Sequence, residues 1–414
     1  MPPPESPASD SQTIADLNQV DQRLTLFNVL SGNLLGATAL VSQPFLFYLK
    51  SGLHLQASEV SVYMALMMFP WLCKPIFGLF SDNIPLFGYR RRSYLIALNA
   101  IAAICSSAVL AGTPASFIFS YAVLQIAIAA STVITLGTGV QYGRETGQTK
   151  KYLLLQTVFY HCGVMAAAIA GGWICKRYLP AQAIQFALPA ASAFALLLAL
   201  ATFKLMVEKK TSVDPYQIKK TLKLTLQHAR SSKSLLSASM IFCWSIAMAL
   251  SVPLYYYETN VLHFEQELVG MLNGINSAGM LAGTAIYAIC VKNQSFKTHL
   301  RLLLALGLLS IFSYLLLSTP MSACAIEAVR GMANMIGLLI IYGLAAEICL
   351  PGAEVFVMGY LVAMRTLGME FWTAVNGYVF SNFLHEQFPA LTVIAGAICL
   401  CTSLPSYLLS RSSK

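Results

Sequence analysis

Apolar residues in this chain come in long unbroken stretches, not in the one-face patterns of soluble helices. Seven stretches contain no Asp, Glu, Lys or Arg: 24–49, 152–175, 178–203, 234–257, 268–291, 302–326 and 387–410. A helix needs about 20 residues to cross a bilayer core that is about 30 Å thick. Each stretch therefore predicts one membrane-spanning helix.

Other spans come from stretches that are doubled or interrupted. Residues 93–143 are also free of charge, but they are too many for one helix, and Gly112-Thr113-Pro114 predicts a break between two. Three further stretches, near 60–80, 322–346 and 355–381, carry isolated charges. The pattern predicts an all-α polytopic membrane protein with about 12 transmembrane helices.

Composition supports this class of protein. Of the 414 residues, 57% are hydrophobic and only 10% are charged, against about 25% in a soluble domain. So few charges exclude a soluble enzyme, a secreted disulfide scaffold and a nucleic-acid binder, and the expected surroundings are the lipid bilayer. The ten cysteines show no metal-ligand spacing, so no metal or cofactor is expected.

The basic residues are distributed unevenly between alternate loops. If the N-terminus is cytoplasmic, 20 Lys and Arg lie on the cytoplasmic side and three, Lys50, Lys176 and Arg177, on the opposite side. Cytoplasmic loops carry an excess of Lys and Arg, so both termini are expected to be cytoplasmic. The predicted location is a plasma membrane or a bacterial inner membrane.

The spans divide into two groups of six. We predict a disordered cytoplasmic tail over 1–25, a first half over 26–206, a basic cytoplasmic linker over 207–234 and a second half over 235–410. Leu53-His54-Leu55 and Leu262-His263-Phe264 stand at the same place in the two halves, 209 residues apart. Two pseudo-repeat halves around a site near the bilayer midplane are typical of transporters.

The loop after span 2 has the composition of a hinge. Gly78 is expected to let span 2 approach a neighbouring helix closely, and Gly88 to allow a turn. Asp82 and the three arginines Arg90, Arg91 and Arg92 are expected to form charge contacts that break as the halves move. We assign these six residues to conformational gating.

The same residues carry a resemblance to a known family. Gly78-x-x-x-Asp82 followed by an arginine cluster resembles the loop signature of the major facilitator superfamily, and its longer form here resembles the folate–biopterin transporter family. Two segments agree: 256–264, after span 7, and 344–354, which contains Pro351, Gly352 and Glu354. The resemblance implies a major facilitator fold and alternating-access transport of a folate or pterin.

The chain also departs from that family at single positions. Span 4 offers Ser131, Thr135 and Thr138 where family members carry acidic residues, and span 5 has His161 near the place of a typical arginine.

Polar residues inside spans are the candidates for binding the solute. A charged side chain at the bilayer centre costs roughly 2.5–3.5 kcal/mol on insertion scales. Glu327, Arg330 and Asn334 recur at i, i+3 and i+7 and share one face of span 10, while Arg365 and Glu370 lie in span 11 and Gln156 in span 5. The alternative for Glu327 and Arg330 is an ion pair that only fixes helix packing.

Glycine pairs four residues apart, Gly32 with Gly36 and Gly279 with Gly283, predict close helix contacts.

The leading functional hypothesis is a secondary transporter of a small organic solute, with the proton as a candidate coupling ion, working as a monomer. A second hypothesis keeps the fold and changes the solute to another small anionic or amphipathic metabolite. A membrane enzyme and a non-transporting receptor are the other classes. The sequence shows no P-loop and no His-Glu-x-x-His or Gly-x-Ser-x-Gly motif, which argues against an enzyme.

Overall fold

The computed structural model is helical along nearly all of the residues it describes, which are 8–206, 208, 210, 223, 227, 230–348 and 354–412. Eleven stretches of these residues are long and apolar enough to cross a membrane, and the helix Glu354–Asn382 is a twelfth of comparable length. In the first half, span 1 contains helices Ala8–Ala37 and Ser42–Phe47, span 2 Ala57–Leu72 and Lys74–Asn83, span 3 Arg92–Cys105, span 4 Pro114–Thr146, span 5 Thr149–Arg177 and span 6 Pro180–Leu205. In the second half, span 7 contains helices Ser232–Met248 and Ser251–Tyr256, span 8 Gln266–Ile286, span 9 Phe296–Phe312, span 10 Pro320–Ile348, span 11 Glu354–Asn382 and span 12 Phe388–Leu400 and Ser403–Ser412. The predicted all-α polytopic class is confirmed.

The first helix starts earlier than the sequence analysis expected. It begins at Ala8, so residues 8–25 of the expected disordered tail are helical. No proline or glycine stands between Ala8 and Ser31, so nothing in this part of the chain breaks the helix. Residues 1–7 and most of the predicted linker, 207–234, lie outside the described residues, as do 349–353.

The predicted break between spans 3 and 4 is present. Gly112 has a φ of +65°, and the next residue, Thr113, caps the following helix by accepting a hydrogen bond from the Ser116 N–H. Pro114 occupies the first helical position, where its missing N–H costs nothing.

The two halves repeat an unusual backbone geometry at the ends of spans 1 and 7. Each span ends in a π-helical turn, Tyr48–Gly52 in the first half and Tyr257–Val261 in the second. The histidine that follows each turn has positive φ, 55° at His54 and 54° at His263. Both turns and both histidines are 209 residues apart, which confirms the predicted pseudo-repeat.

Close packing of glycines joins spans within each half, as predicted. A Cβ on Gly32 or Gly36 in span 1 would lie 2.4 or 2.0 Å from a carbonyl oxygen of span 5. A Cβ on Gly279 or Gly283 in span 8 would lie 2.4 or 2.6 Å from a carbonyl oxygen of span 10. Real Cβ atoms do not approach so closely, so only glycine allows these helix contacts.

The molecule has two ends, which we name by their loops. The linker end carries residues 82–92 and 144–150 and the described residues 206, 208, 230 and 231; the far end carries residues 50–57, 177–180, 258–266, 313–320 and 383–387.

The halves meet at the far end. Gly172 of span 5 packs on Gly270 of span 8, where a Cβ on either residue would lie 2.6–2.7 Å from the other's Cα. Gly377 of span 11 packs in the same way on Ala57 and Ser61 of span 2. In this conformation the far end is closed.

Candidate functional site

The Glu327–Arg330 pair that the spacing predicts is present in span 10. Arg330 Nη1 donates to both carboxylate oxygens of Glu327, at 2.8 and 3.0 Å. Asn276 Nδ2 in span 8 donates to the same carboxylate at 2.8 Å, and the Tyr314 hydroxyl after span 9 donates at 3.1 Å. The four side chains form one network that joins spans 8, 9 and 10.

The charges of this network are buried to different degrees. Glu327 is 6% exposed and Tyr314 3%, whereas the side chain of Arg330 is 17% exposed. The Arg330 guanidinium lies over the Tyr314 ring, 4.3 Å from its centroid, and its Nε has no hydrogen-bond partner among the described residues. Glu327 is therefore held from three sides, and Arg330 keeps an unused donor.

Asn334 lies one turn beyond Arg330 on the same face of span 10. It is half-buried, and its Oδ1 has no hydrogen-bond partner in the described part of the chain. A buried amide oxygen without a partner costs about 1–3 kcal/mol. Arg330 and Asn334 thus offer a donor and an acceptor that the protein leaves unused.

Arg365 and Glu370 lie in span 11 and interact electrostatically with each other. Arg365 also lies within electrostatic range of Lys74 in span 2, although the two side chains belong to different halves. The Lys74 ammonium lies 4.0 Å from the centroid of the Trp71 ring. Two cations therefore face each other across the boundary between the halves, with one carboxylate beside them.

Lys74 is a residue that the assignment of binding residues from the sequence missed. Its signal is the same as that of Arg365, a charge inside an apolar span. Span 2 also contacts span 11 beside Lys74: a Cβ on Gly359 would lie 3.7 Å from the Cα of Pro75, the residue after Lys74.

Gln156 is the candidate from the first half. It is 5% exposed, its Nε2 donates to Thr135 Oγ1 of span 4 at 2.6 Å, and its Oε1 has no partner among the described residues. Its backbone carbonyl is the one that Gly32 of span 1 packs against. The backbone contact fixes Gln156 in place, and the free oxygen is an acceptor for a ligand. The described contacts do not bring Gln156 together with the residues of span 10.

The loop after span 2 differs in part from the expectation. A Cβ on Gly78 would meet its nearest atom, Val133 Cγ2, at 3.9 Å, which is ordinary contact. The expectation that Gly78 allows a close helix approach is therefore wrong. Gly88 has a φ of +83°, so its role in the turn is confirmed. The Asp82 side chain lies outside the described residues.

The three arginines of this loop hold a carboxylate through their backbone. The N–H groups of Arg90, Arg91 and Arg92 donate to the Glu208 carboxylate, at 2.8–3.2 Å. The guanidinium of Arg92 donates to the Phe203 carbonyl at the end of span 6, and that of Arg91 to the Gly137 carbonyl of span 4.

Glu208 is the first carboxylate after span 6, and its role is not predicted from the sequence. It lies at the N-terminus of span 3, where a negative charge is favoured. The loop, span 4 and the start of the linker are tied together.

Polar side chains complete the closure of the far end. Lys176 forms ion pairs with Glu265, at 3.1 Å, and with Glu267. Gln43 Nε2 donates to the backbone carbonyl of Gln266 at 2.7 Å. All three partners lie at the start of span 8, Glu265 directly before it and Gln266 and Glu267 in its first turn.

A second group of contacts joins the two π-helical turns. Lys50 donates to Thr259 Oγ1 and, at 2.6 Å, to Asn260 Oδ1. The Tyr256 hydroxyl donates to the Leu55 carbonyl. None of these residues was assigned a role from the sequence, because opposite-half contacts have no signal in a single chain.

Eleven apolar spans and a twelfth long helix among the described residues, in two repeated halves with charges buried between helices and closure at one end, define a polytopic membrane protein with the major facilitator fold. Solved structures agree on the fold. The chain matches a D-xylose–proton symporter with a TM-score of 0.71 at 14% identity, covering 93% of this chain and 97% of that one. It matches a structure of proton-dependent oligopeptide transporters with a TM-score of 0.72 at 11% identity, covering 94% and 100%.

Residues 36–408 match the model of the BT1 family, and the chain belongs to that family. It is 26% identical over 380 residues to the folate-biopterin transporter of Synechocystis sp., covering 87% of this chain and 75% of the relative. It is 23% identical over 355 residues to folate transporter 2 of Plasmodium falciparum, covering 80% and 75%. The predicted family is confirmed.

Proposed function

We propose that this protein is a secondary active transporter that moves a folate or a pterin across a membrane by alternating access. The observation that carries the proposal is the presence of basic groups inside the spans: Arg330 in span 10, whose Nε has no hydrogen-bond partner among the described residues, and Arg365 in span 11, which lies within electrostatic range of Lys74. Relatives named for folate and biopterin support the solute class.

The chemistry of the candidate site suits such a solute. A folate ends in carboxylates, which pair with guanidinium groups through charge-assisted hydrogen bonds. A pterin ring presents hydrogen-bond donors along one edge, which the free oxygen of Asn334 would accept, and Gln156 offers a separate acceptor in the first half. Glu327 orients Arg330 through two hydrogen bonds, and Glu370 lies within electrostatic range of Arg365.

We assign the linker end to the cytoplasm, together with both termini. The support is the distribution of Lys and Arg, 20 on that side and three on the other. In this orientation the closed far end faces outward, so the conformation described here is closed to the outside. The membrane is a plasma membrane or a bacterial inner membrane, and the working unit is the monomer.

The second candidate function is transport of a different small anionic or amphipathic metabolite by the same fold. The basic side chains of Arg330, Arg365 and Lys74 favour this second function, since they recognise a negative charge and do not by themselves select a pterin ring. An enzymatic role has no support from the sequence motifs.

Uptake by proteoliposomes that contain the purified protein tests the proposal. Labelled folic acid, labelled biopterin and an unrelated labelled dicarboxylate are each offered with and without a pH gradient. Saturable uptake of folic acid or biopterin that the unlabelled compound suppresses is the expected result. Uptake of the dicarboxylate alone would establish the second function, and no uptake of any of the three would leave the proposal without support.

A further inference from the structure

One buried charge is not used by the site described above. Glu258 lies in the π-helical turn that ends span 7 and is 5% exposed. Its carboxylate accepts no hydrogen bond from the described residues. Its backbone carbonyl accepts one from the Phe264 N–H at 2.8 Å. A charged carboxylate that is buried without a partner is strongly disfavoured.

The charged neighbours of Glu258 act on it in opposite senses. Glu327 of span 10 opposes a second negative charge, Arg330 of the same span favours one, and Tyr255 of span 7 and Tyr314 after span 9 also lie within electrostatic range. Ring packing brings the turn itself to this cluster: Tyr257, next to Glu258, stacks on Phe388 with centroids 5.2 Å apart, and Tyr314 packs on the edge of Phe388 at 5.3 Å.

The cluster around Glu258 carries one negative charge more than it carries positive charges. Glu258 and Glu327 are two carboxylates, and Arg330 is the one cation among the described residues that interacts with both. Arg330 is already bound to Glu327 through two hydrogen bonds. Two carboxylates that share one guanidinium in a buried place cannot both stay ionised at low cost, and a proton on one of them makes the cluster neutral.

We propose that Glu258 is the proton-binding group that couples transport to a proton gradient. The inference rests on the proposed function, since it assigns the coupling ion and its site to that transporter.

The position of Glu258 links the proton to the solute. An anion bound at Arg330 adds a negative charge beside Glu258 and Glu327, which favours protonation of Glu258. By thermodynamic linkage the protonated carboxyl favours binding of the anion to the same degree. Solute and proton are therefore bound together and released together.

The position also links the proton to the closure of the far end. Thr259 and Asn260, the next two residues of the same turn, accept hydrogen bonds from Lys50 of the other half. When these contacts separate, the turn that carries Glu258 is uncovered on the far side. In the proposed orientation this gives the carboxylate access to external protons.

The first test needs no solute. Infrared difference spectra of the purified protein, taken between about pH 5 and about pH 8, should show a protonated-carboxyl C=O band that Glu258→Gln removes. Glu386→Gln, which changes an exposed carboxylate at the far end, should keep the band. An unchanged band in Glu258→Gln would overturn the assignment.

The second test uses proteoliposomes and labelled folic acid. Glu258→Gln should exchange internal for external folic acid at a rate within about threefold of the parent protein. It should lose accumulation driven by an inward pH gradient and lose the proton influx that folic acid triggers, as followed with an internal pH dye. Retained proton-driven accumulation would refute the coupling role. Absence of folic acid exchange in the parent protein would instead count against the proposed solute, and the infrared result would still decide whether Glu258 binds the proton.

Discussion

At the scale of single residues, the central question is whether Arg330 binds solute or only packs against Glu327. A buried ion pair is weak evidence for either role, since its desolvation cost offsets most of its attraction. The network around Glu327 is fully made, with donors from Asn276, Tyr314 and Arg330. The unused Nε of Arg330 is the feature that favours binding.

Replacement of Arg330 by Gln should separate the two roles. Loss of one charged hydrogen bond is worth about 1.5–3 kcal/mol, so the affinity for folic acid should fall at least tenfold. Biopterin, which lacks the carboxylate tail, should lose far less. The measurement is equilibrium binding of both compounds to detergent-purified protein.

The double variant Glu327→Gln with Arg330→Gln tests the alternative that the pair only fixes helix packing. It removes both charges of the pair together, so that neither Glu327 nor Arg330 is left without its partner. If the pair only fixes packing, each single variant should fold poorly and the double variant should regain full uptake. Full recovery would therefore show that Arg330 does not bind the solute.

At the scale of helices, the contact of Gly172 with Gly270 is a close backbone link between the halves at the far end. Gly172→Ala places a methyl group 2.7 Å from the Gly270 Cα, and overpacking of this kind costs roughly 1–3 kcal/mol. The cost falls on the closed far end, so the population should shift about fivefold or more toward conformations that are open there.

Thiol labelling at the far end measures that shift. Ser51 is partly exposed next to the closure, and the labelling rate of Ser51→Cys should rise in the Gly172→Ala background. Gly78→Ala is the matched control, because its new methyl group finds ordinary contact at 3.9 Å and should leave the rate unchanged. Equal labelling in both backgrounds would show that the glycine contact does not limit opening.

The ion pairs of Lys176 offer an independent test of the same closure. Lys176→Glu should repel Glu265 and Glu267 and open the far end, and reversal of both partners to lysine should restore it. Exposed ion pairs are individually worth about 0–1 kcal/mol, so the change in labelling of Ser51→Cys should be smaller than that caused by Gly172→Ala. Added salt should reduce it further.

Sequence patterns predicted the elements better than the site. Charge-free stretches located the spans, because a helix in lipid must be apolar along its whole length. The i, i+3 spacing located the pair of Glu327 and Arg330, which depends on one helix. Lys74 opposite Arg365, and Glu258 beside Arg330, depend on helix contacts between distant segments, which no spacing within a span encodes.

At the scale of the whole molecule, the orientation in the membrane is the most direct prediction. Single cysteines replace Ser232 at the linker end and Ser51 at the far end, in a background in which the exposed Cys290 and Cys401 are changed to Ser. An impermeant thiol reagent added to intact cells should label the Ser51→Cys protein, and the Ser232→Cys protein only after the cells are opened. Labelling of Ser232→Cys from outside would reverse the orientation proposed here.

The hydrogen bond between Lys50 and Thr259 joins two positions that correspond in the repeat, since they lie 209 residues apart in equivalent π-helical turns. Corresponding positions that touch must lie on the pseudo-twofold axis of the molecule. In a symmetric dimer of two identical halves, any residue at this point would face its own copy. Two lysines there would repel each other, and two threonines would bring no charge. When both halves are encoded in one chain, the two equivalent positions can carry different residues, a donor in one half and an acceptor in the other. The hydrogen bond that closes the far end on the axis therefore depends on the fusion of the two halves.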